Sequence, residues 1–567
     1  MAPQYVIESF TPDEVAILQR YFTNVDQPVF AVVNLPEVVK GALFARYSRS
    51  AKSLRRLFLD EFASDAGDYV EAGVGDNAGA VAQATGLARA ERLYDKVFVE
   101  FGDDSVAQLG GVHLACEQAS NLLTKVLERG RLMAYLEQST RYISYSSRLP
   151  TGTYRYYRDP DILASHLGAR YIGDMDFIFD GYSSLLQNLQ PYLSSRFPKD
   201  PGDSDIVHRQ ALRAKGFDLA RGLLPAATLS NVGIYGTGQA FENLLIRMRS
   251  HPLPEARSYS DLMLSELRKV IPSYLRRVDD PERGERWSRY LSSARTSSAM
   301  AVETVLGRRS QEALRIRTSA PECDEHLYDD TSHLSDVTLT EFDPNGENKV
   351  IAAILYPFSN LSDSALAAAV QGMSEEEKAA IVTAYVGERE NRRHKPGRAF
   401  ERTQYRFDVI SDYGAFRDLQ RHRMLTIEWQ PLGCDLGFVV PDEICEAGLV
   451  SDYVQCLEVS RDLYGALVPD FPDQAAYCVS FAFQVRYVMQ MSAREAMHII
   501  ELRSSPQGHA SYRSLVLKML DLIATQAGHR HIASAMSFAA TGDVGLGRLS
   551  EQRRNAARRQ SRPASGV

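Results

Sequence analysis

The chain has 567 residues, room for roughly two to four domains, and its 44% hydrophobic and 24% charged content excludes a disordered, collagen-like or disulfide-scaffold protein. Sixty-four basic against 72 acidic residues give a net charge of −8, which argues against a general nucleic-acid binder. Six cysteines without a Cys-x-x-Cys pair argue against a zinc ribbon and for reduced cytoplasmic thiols, and neither a signal-peptide core nor an apolar run of about 18 residues is present.

In chain order, residues 40–50, KGALFARYSRS, are similar to 349–361, KVIAAILYPFSNL. Residues 127–131, LERGR, are similar to 419–423, LQRHR, and 244–249, LLIRMR, to 498–503, HIIELR. Three correspondences in one order imply a tandem duplication. The offset falls from 292 residues at Arg129/Arg421 to 254 at Arg249/Arg503, so the first copy is about 38 residues longer between these landmarks. The Tyr-, Asp- and Pro-rich stretch 155–205 is the expected insertion. Residues 261–276 read as a helix around Pro272, and the polar, aperiodic 306–335 as the join. The expected division is therefore 1–310, 311–550 and a basic, solvated tail over 551–567 with five arginines.

In the second copy, Ser374 and Glu377 form a capping-box pattern ahead of a helix. Tyr405, Phe407 and Val409 alternate with polar residues as in a half-buried strand, and Ser411 or Asp412 is placed to cap a short helix leading to Arg421. Val454, Leu457, Leu463 and Leu467 recur at helical spacing, and the apolar run in 480–500 reads as core. The pattern is α+β, without regular β-α alternation.

Residues 129–142, RGRLMAYLEQSTRY, bring Arg129, Arg131 and Arg141 together with Glu137, Gln138 and Ser139. Guanidinium forks bind phosphate or a planar imide through paired hydrogen bonds, and the amide, hydroxyl and carboxylate groups add directional contacts. The same residues equally suit a surface helix end with its arginines in ordinary ion pairs. The counterpart, RHRMLTIEWQPLGC over 421–434, flanks His422 with Arg421 and Arg423 and suits an anion or a flavin ring. Ser139 has no neighbouring base, so it reads as a positioning residue. The glycines of GIYGTG, 233–238, read as a turn, and His529 and His531 as a helix-end pair without the ligand spacing of a metal site.

Both stretches resemble the flavin-dependent thymidylate synthases, whose signature is Arg-His-Arg-x-x-Ser-x-Asn-Glu-x-Ser-x-Arg-Tyr. Arg129, Arg131, Glu137, Ser139, Arg141 and Tyr142 match it, while Gly130, Ala134 and Leu136 depart. Arg421, His422 and Arg423 match its start, and Trp429, Pro431 and Gly433 depart. The family's Gly-His-x-Ser/Thr with a nearby Glu is similar to Gly102-Asp103-Asp104-Ser105 in the first copy and to His394 with Glu401 in the second. Its Arg-x-x-Leu-Pro is similar to Arg221–Pro225, and its late Leu-Arg to Met248-Arg249 and Leu502-Arg503, the latter followed by His509-Ala510-Ser511.

The resemblance implies two tandem α+β domains, each a mixed sheet with packed helices, fused so that a homodimer takes the place of the family's homotetramer. It implies methylation of dUMP to dTMP with methylenetetrahydrofolate, FAD and NADPH. Ser139, Arg141 and Arg249 would act at the reacting ring, and Arg129, Arg131, Glu137, Gln138 and Arg221 would bind the nucleotide. His394, Glu401, Arg421, His422, Arg423 and Arg503 would hold the flavin. The nucleotide side survives in the first copy and the flavin side in the second, so unlike halves would build one composite site. Another pyrimidine nucleotide, or a non-catalytic binding or assembly protein, are the alternative readings. No nucleic-acid or membrane partner is expected, and the expected compartment is the cytoplasm.

Overall fold

The computed structural model describes residues 8–27, 30–47, 52–63, 108–201, 203–315 and 336–542. The Gly102–Ser105 motif, most of the expected join and the basic tail lie outside the described residues.

Three amino-terminal helices, α1 (Pro12–Tyr21), α2 (Glu37–Tyr47) and α3 (Leu54–Glu61), close a small core around Leu18, Tyr21, Phe22, Leu57 and Phe58. The first copy continues with β1 (Gly111–Ser120), α4 (Asn121–Leu127) and β2 (Met133–Glu137). Two long helices follow, α5 (Gly168–Arg196) and α6 (Asp205–Ala220), then β3 (Leu229–Thr237), α7 (Gly238–Arg249), α8 (Pro254–Arg268) and α9 (Gly284–Arg315). The second copy opens with β4 (Asp336–Phe342), α10 (Gly346–Leu355), α11 (Asp363–Gln371) and α12 (Glu375–Val386). It closes with β5 (Gln404–Asp412), α13 (Tyr413–Leu419), β6 (Thr426–Trp429), α14 (Val450–Leu467), β7 (Gln484–Ser492), α15 (Ala493–Arg503) and α16 (Ala510–Thr525).

The tandem repeat is visible in the topology. The sheets run β1-β3-β2 and β4-β5-β7-β6, so β1, β3 and β2 recur as β5, β7 and β6. In both, the third strand lies antiparallel to the second, with Met133 opposite Gly236 and Thr426 opposite Gln490. The first two of these strands in each copy, β1 and β3, β5 and β7, end in a residue whose side chain caps the next helix. Ser120 accepts from Leu123 N at 2.9 Å and Asp412 from Ala415 N at 2.8 Å. Thr237 accepts from Ala240 N and Ser492 from Glu495 N, both at 3.3 Å. Chain direction therefore turns at matched points in the two copies.

Several local expectations are met. The Ser374/Glu377 capping box forms, Tyr405, Phe407 and Val409 are fully buried on β5, and Asp412 is the residue that caps α13. Others are corrected. The helix expected over 261–276 is α8, which ends at Arg268, and Pro272 opens a separate 3-10 turn. Proline lacks an N–H and pushes Ile271 out of the helical region, to φ −132°. Residues 233–238 are no free turn: they finish β3 and enter α7, because Val232 and Ile234 keep the strand's alternate burial across the glycines. The first ten residues of the expected join continue α9. The stretch 155–205 contains α5, which packs on α14.

Compact units divide the chain differently from the repeat. One comprises Met1–Glu117, Leu132–Glu137 and Asn231–Glu312, the other Gln118–Arg131, Gln138–Ser230 and Ala313–Val567. The second unit therefore combines the four-stranded sheet with α4, α5 and α6 of the first copy. The five described cysteines are free thiols. Among the described residues, no helix is long and apolar enough to cross a membrane.

Candidate functional site

In the second unit, residues of both copies gather around the carboxylate of Asp418, in the last turn of α13. Arg503, at the end of α15, points Nη1 at its Oδ1 from 3.4 Å and donates from Nη2 to its main-chain oxygen. Arg221, just after α6, reaches its Oδ2 at 3.4 Å. Burial would raise the Asp418 pKa, but Arg503, Arg221, Arg141 and Arg417 together hold the carboxyl far below the ordinary range.

Arg141 is held by α6. Its Nε and Nη2 form a fork on Asp218 at 2.7 and 2.8 Å, Nη1 donates to Tyr512 Oη at 2.9 Å, and Nη2 to Gln507 O at 3.1 Å. Burial opposes its charge, yet Asp218 keeps its pKa well above normal. Ser139 accepts from the Arg141 N–H at 3.2 Å and so shapes the turn that aims this guanidinium. Gln138 contributes its carbonyl to Ser230 at 3.3 Å.

His422 lies behind Arg503. Its Nε2 accepts from Arg503 Nε at 2.9 Å, so the ring proton resides on Nδ1, 3.5 Å from Glu495 Oε1. Burial, then Arg503, His498 and Arg421, drives its pKa well below 6.5 and keeps it neutral. Burial also raises Glu495 to about 7, against the pull of Lys395, Arg494 and Arg423. His498 falls to about 4 through burial and the nearby Lys395, Arg392, Arg503 and Arg494.

His422, Glu495 and His498 place ligand-type atoms within 4.8 Å of one another. They do not fit a cation. Binding one at His422 Nδ1 would displace the proton fixed there by the Arg503 bond, and the ring of lysine and arginine repels positive charge. The same ring fits an anionic dinucleotide such as FAD, because Lys395, Arg392, Arg423, Arg494 and Arg503 gather around Glu495 and His498.

The remaining sequence-derived residues divide. Arg129 donates from Nη2 to both carboxylate oxygens of Glu428, at 2.7 and 2.9 Å, and lies 5.2 Å from the Trp429 ring centroid. Arg131 donates to Leu425 O and Thr426 Oγ1 at 3.1 and 3.0 Å. These two arginines thus grip β6 of the second copy and its approach. Glu401 pairs with Arg398 and with Arg494, at 3.0 and 3.4 Å. The His394 ring is engaged in its own turn, with Glu390 N and Asn391 Nδ2. Arg421 lies close enough to His422 to lower its pKa, and Arg423 acts likewise on Glu495. Glu137 and Arg249 belong to the other unit, where Glu137 is buried at the end of β2 and Arg249 pairs with Asp261 at 2.6 Å. His529 is a core histidine between Tyr405 Oη and Asp343 O, at 2.7 and 3.0 Å.

Motif reading missed Asp218, Asp412, Asp418, Glu495 and Tyr512. Two of them carried a signal: Asp218 and Asp418 each stand three residues before a selected arginine, one helical turn away.

Beside Arg221 a cavity of about 380 Å³ opens, lined by Asp218, Arg221, Asp412, Tyr453, Phe481, His509 and Ser511 among others. Burial raises the Asp412 pKa, although Arg221, Ser511 and Ala415 N pull it down, and its Oδ2 accepts from Ser511. Burial, with Arg221, keeps His509 neutral. Its Nδ1 accepts from Ser511 N at 3.3 Å and its Nε2 donates to Asp218 O at 3.2 Å.

Strand–cap–helix units occur in duplicate, with first-copy and second-copy arginines around one carboxylate, which is the arrangement of a fused tandem. The profile of the thymidylate synthase complementing protein family matches residues 60–273 and 338–527, and the chain belongs to that family. It is 36% identical over 550 residues to a UPF0159 protein of Chlamydia muridarum, covering 97% of this chain and 99% of the relative. A UPF0159 protein of Chlamydia pneumoniae is 37% identical over 548 residues, covering 96% and 98%. UPF0159 protein Ta1429 of Thermoplasma acidophilum is 30% identical over 550 residues, covering 91% and 98%. Among solved structures, a UMP/dUMP methylase PolB from Streptomyces cacaoi, bound with 5-Br dUMP, matches with a TM-score of 0.30 at 16% identity. That match covers 35% of this chain and 95% of the methylase.

Proposed function

We propose that this protein methylates a pyrimidine nucleotide at C5, dUMP to dTMP, with methylenetetrahydrofolate as one-carbon donor and NADPH as reductant. The observation that carries the reading is the composite site: Arg141 and Arg221 of the first copy and Asp418, His422 and Arg503 of the second share one electrostatic network. Neither copy alone supplies that set. Family membership over both segments supports the same chemistry.

FAD, when bound, supplies the hydride that completes the methyl group. Lys395, Arg421, Arg423 and Arg494 would hold its anionic part, with His394, Glu401, His422 and Arg503 as the surrounding wall. The chain's own task is to bind, orient and exclude water. His422 stays neutral with its proton on Nδ1, so it positions a ring and does not serve as a base near pH 7. Arg221 lines the cavity and is anchored on Asp418, so it fixes the wall against which a ligand would rest. Arg141 and Ser139 keep the wall rigid, and Arg129, Arg131 and Gln138 are the other nucleotide-side residues in this unit. A homodimer of fused pairs would replace a tetramer of single copies, in the cytoplasm.

Absorbance near 450 nm after reconstitution with FAD tests this reading, followed by transfer of labelled methylene to dUMP. The reading expects one flavin per chain or fewer and labelled dTMP. Protein that takes up no flavin and forms no product would contradict it and favour the binding or assembly role.

A further inference from the structure

We infer that helix α9 docks, antiparallel, against the same helix of a second copy of this chain, through the face that runs from Trp287 to Val305. The helix lies between the two segments that match the family, 60–273 and 338–527, so the family fold does not account for it. Its first turns lean on α7, where Ser288 Oγ donates to Ile246 O at 3.3 Å and Arg295 Nη1 to Ser250 O at 2.8 Å. From Ser292 to Val305, about 20 Å of helix, every residue is exposed. This stretch, SSARTSSAMAVETV, is rich in serine, threonine and valine, which are weak helix formers. An isolated helix of that length is marginal in water and is normally held by packing of an apolar face.

Such a face is present. Trp287, Tyr290, Ala294, Ser298, Ala301 and Val305 recur at steps of three or four residues and so share one side of the helix. Tyr290 is 67% and Val305 62% exposed. Glu285, Arg289 and Glu303 fall on the opposite side by the same periodicity.

Size and charge identify the occupant. Between Tyr290 and Val305 the charged residues are Arg295 and Glu303, a net charge of zero, so neither an acidic nor a basic partner is selected. Bulk is concentrated at one end, with Trp287 and Tyr290 near the start and Ser298, Ala301 and Val305 toward the finish. An antiparallel second copy matches this gradient: Trp287 meets the partner's Val305, Tyr290 the partner's Ala301, and Ala294 the partner's Ser298. A parallel copy would set tryptophan on tryptophan and leave the small residues facing across a gap. Each antiparallel contact occurs twice about a two-fold axis near Thr296, which closes the assembly at a dimer. Opposed helix dipoles favour the same direction.

Cysteine cross-linking of the full chain tests this. Positions 290 and 301 lie about 16 Å apart along one helix, too far to bond within a chain. After air oxidation, Tyr290→Cys combined with Ala301→Cys should give a covalent dimer. Either single variant should stay at the wild-type level, which controls for the exposed Cys445. In sedimentation velocity, Ala294→Arg should weaken dimerisation at least about tenfold with an unchanged melt, because Ala294 is exposed in the single chain. Single variants that cross-link as well as the double one would show a parallel pair and overturn the inference. A monomeric wild type would overturn it too. So would a dimer that survives Ala294→Arg without cross-linking of the double variant, a result that leaves the homodimer standing on another face.

Discussion

Asp418 stands three residues before Arg421, outside the motif that drew attention to the region, yet it collects guanidinium groups from both copies. Motif matching finds residues that touch ligands. It does not find the carboxylates that hold those residues, because a helical Asp in front of an arginine also occurs on any surface. Arg141, Arg221, His422 and Arg503 were legible in the sequence; Asp412 was legible only as a helix cap, Asp218 only by its place before Arg221, and Glu495 by no pattern. Glu495 gives a pH prediction. Its pKa of about 7 lies above the ordinary 4.5, so between these values the folded chain binds more protons than the unfolded one. Stability from this group is full below pH 4.5 and declines as pH rises to 7, by on the order of 3 kcal/mol. His498, with its pKa lowered to about 4, works in the opposite direction between pH 4 and 6.5. Glu495→Gln deletes only the first contribution. Urea melts at pH 5 and pH 7.5 should therefore show the variant gaining on wild type as pH rises. A gap between the two that does not change with pH would contradict the buried-carboxyl assignment.

At the scale of elements, β5 was readable from its alternation, as were the caps at Asp412 and at Ser374 with Glu377. The glycine-rich end of β3 was not, because glycine has little strand preference of its own and the neighbouring strand decides. Nor did the sequence reveal how the loop before β5 is fastened. Arg389 forks onto Glu501 of α15 at 2.7 and 2.6 Å, with both side chains almost fully buried, and also donates to His394 O. This pair ties the His394 turn to the helix that carries Arg494, His498 and Arg503. Arg389→Ala would leave a buried carboxylate without its cation and should cost about 3–5 kcal/mol in chemical denaturation. Arg389→Leu combined with Glu501→Leu should recover most of that loss, since the unpaired charge is gone. A double variant as unstable as Arg389→Ala would show that packing, not charge, is what the pair supplies.

For the whole molecule, duplication explains why each copy has lost part of the family's signature. A single-copy protein needs every motif residue in every chain, whereas a fused pair needs each residue only once per composite site. The weak correspondences at Arg129/Arg421 and Arg249/Arg503 were enough to expose the repeat, and the sheets β1-β3-β2 and β5-β7-β6 repeat it in three dimensions. The compact units, by contrast, cut across the copies, because α5 of the first packs on α14 of the second and α6 packs on α5. No periodicity in the sequence carries that exchange. The central claim is that one site is assembled from both copies, and ligand stoichiometry with one variant from each copy tests it most directly. Calorimetry of deoxyuridine and dUMP on the FAD-supplemented full chain should give a single pyrimidine site per chain, lost alike in Arg221→Ala and in Arg503→Ala when both variants melt cooperatively. Two pyrimidine sites per chain, or a variant in one copy that leaves half of the binding intact, would contradict it.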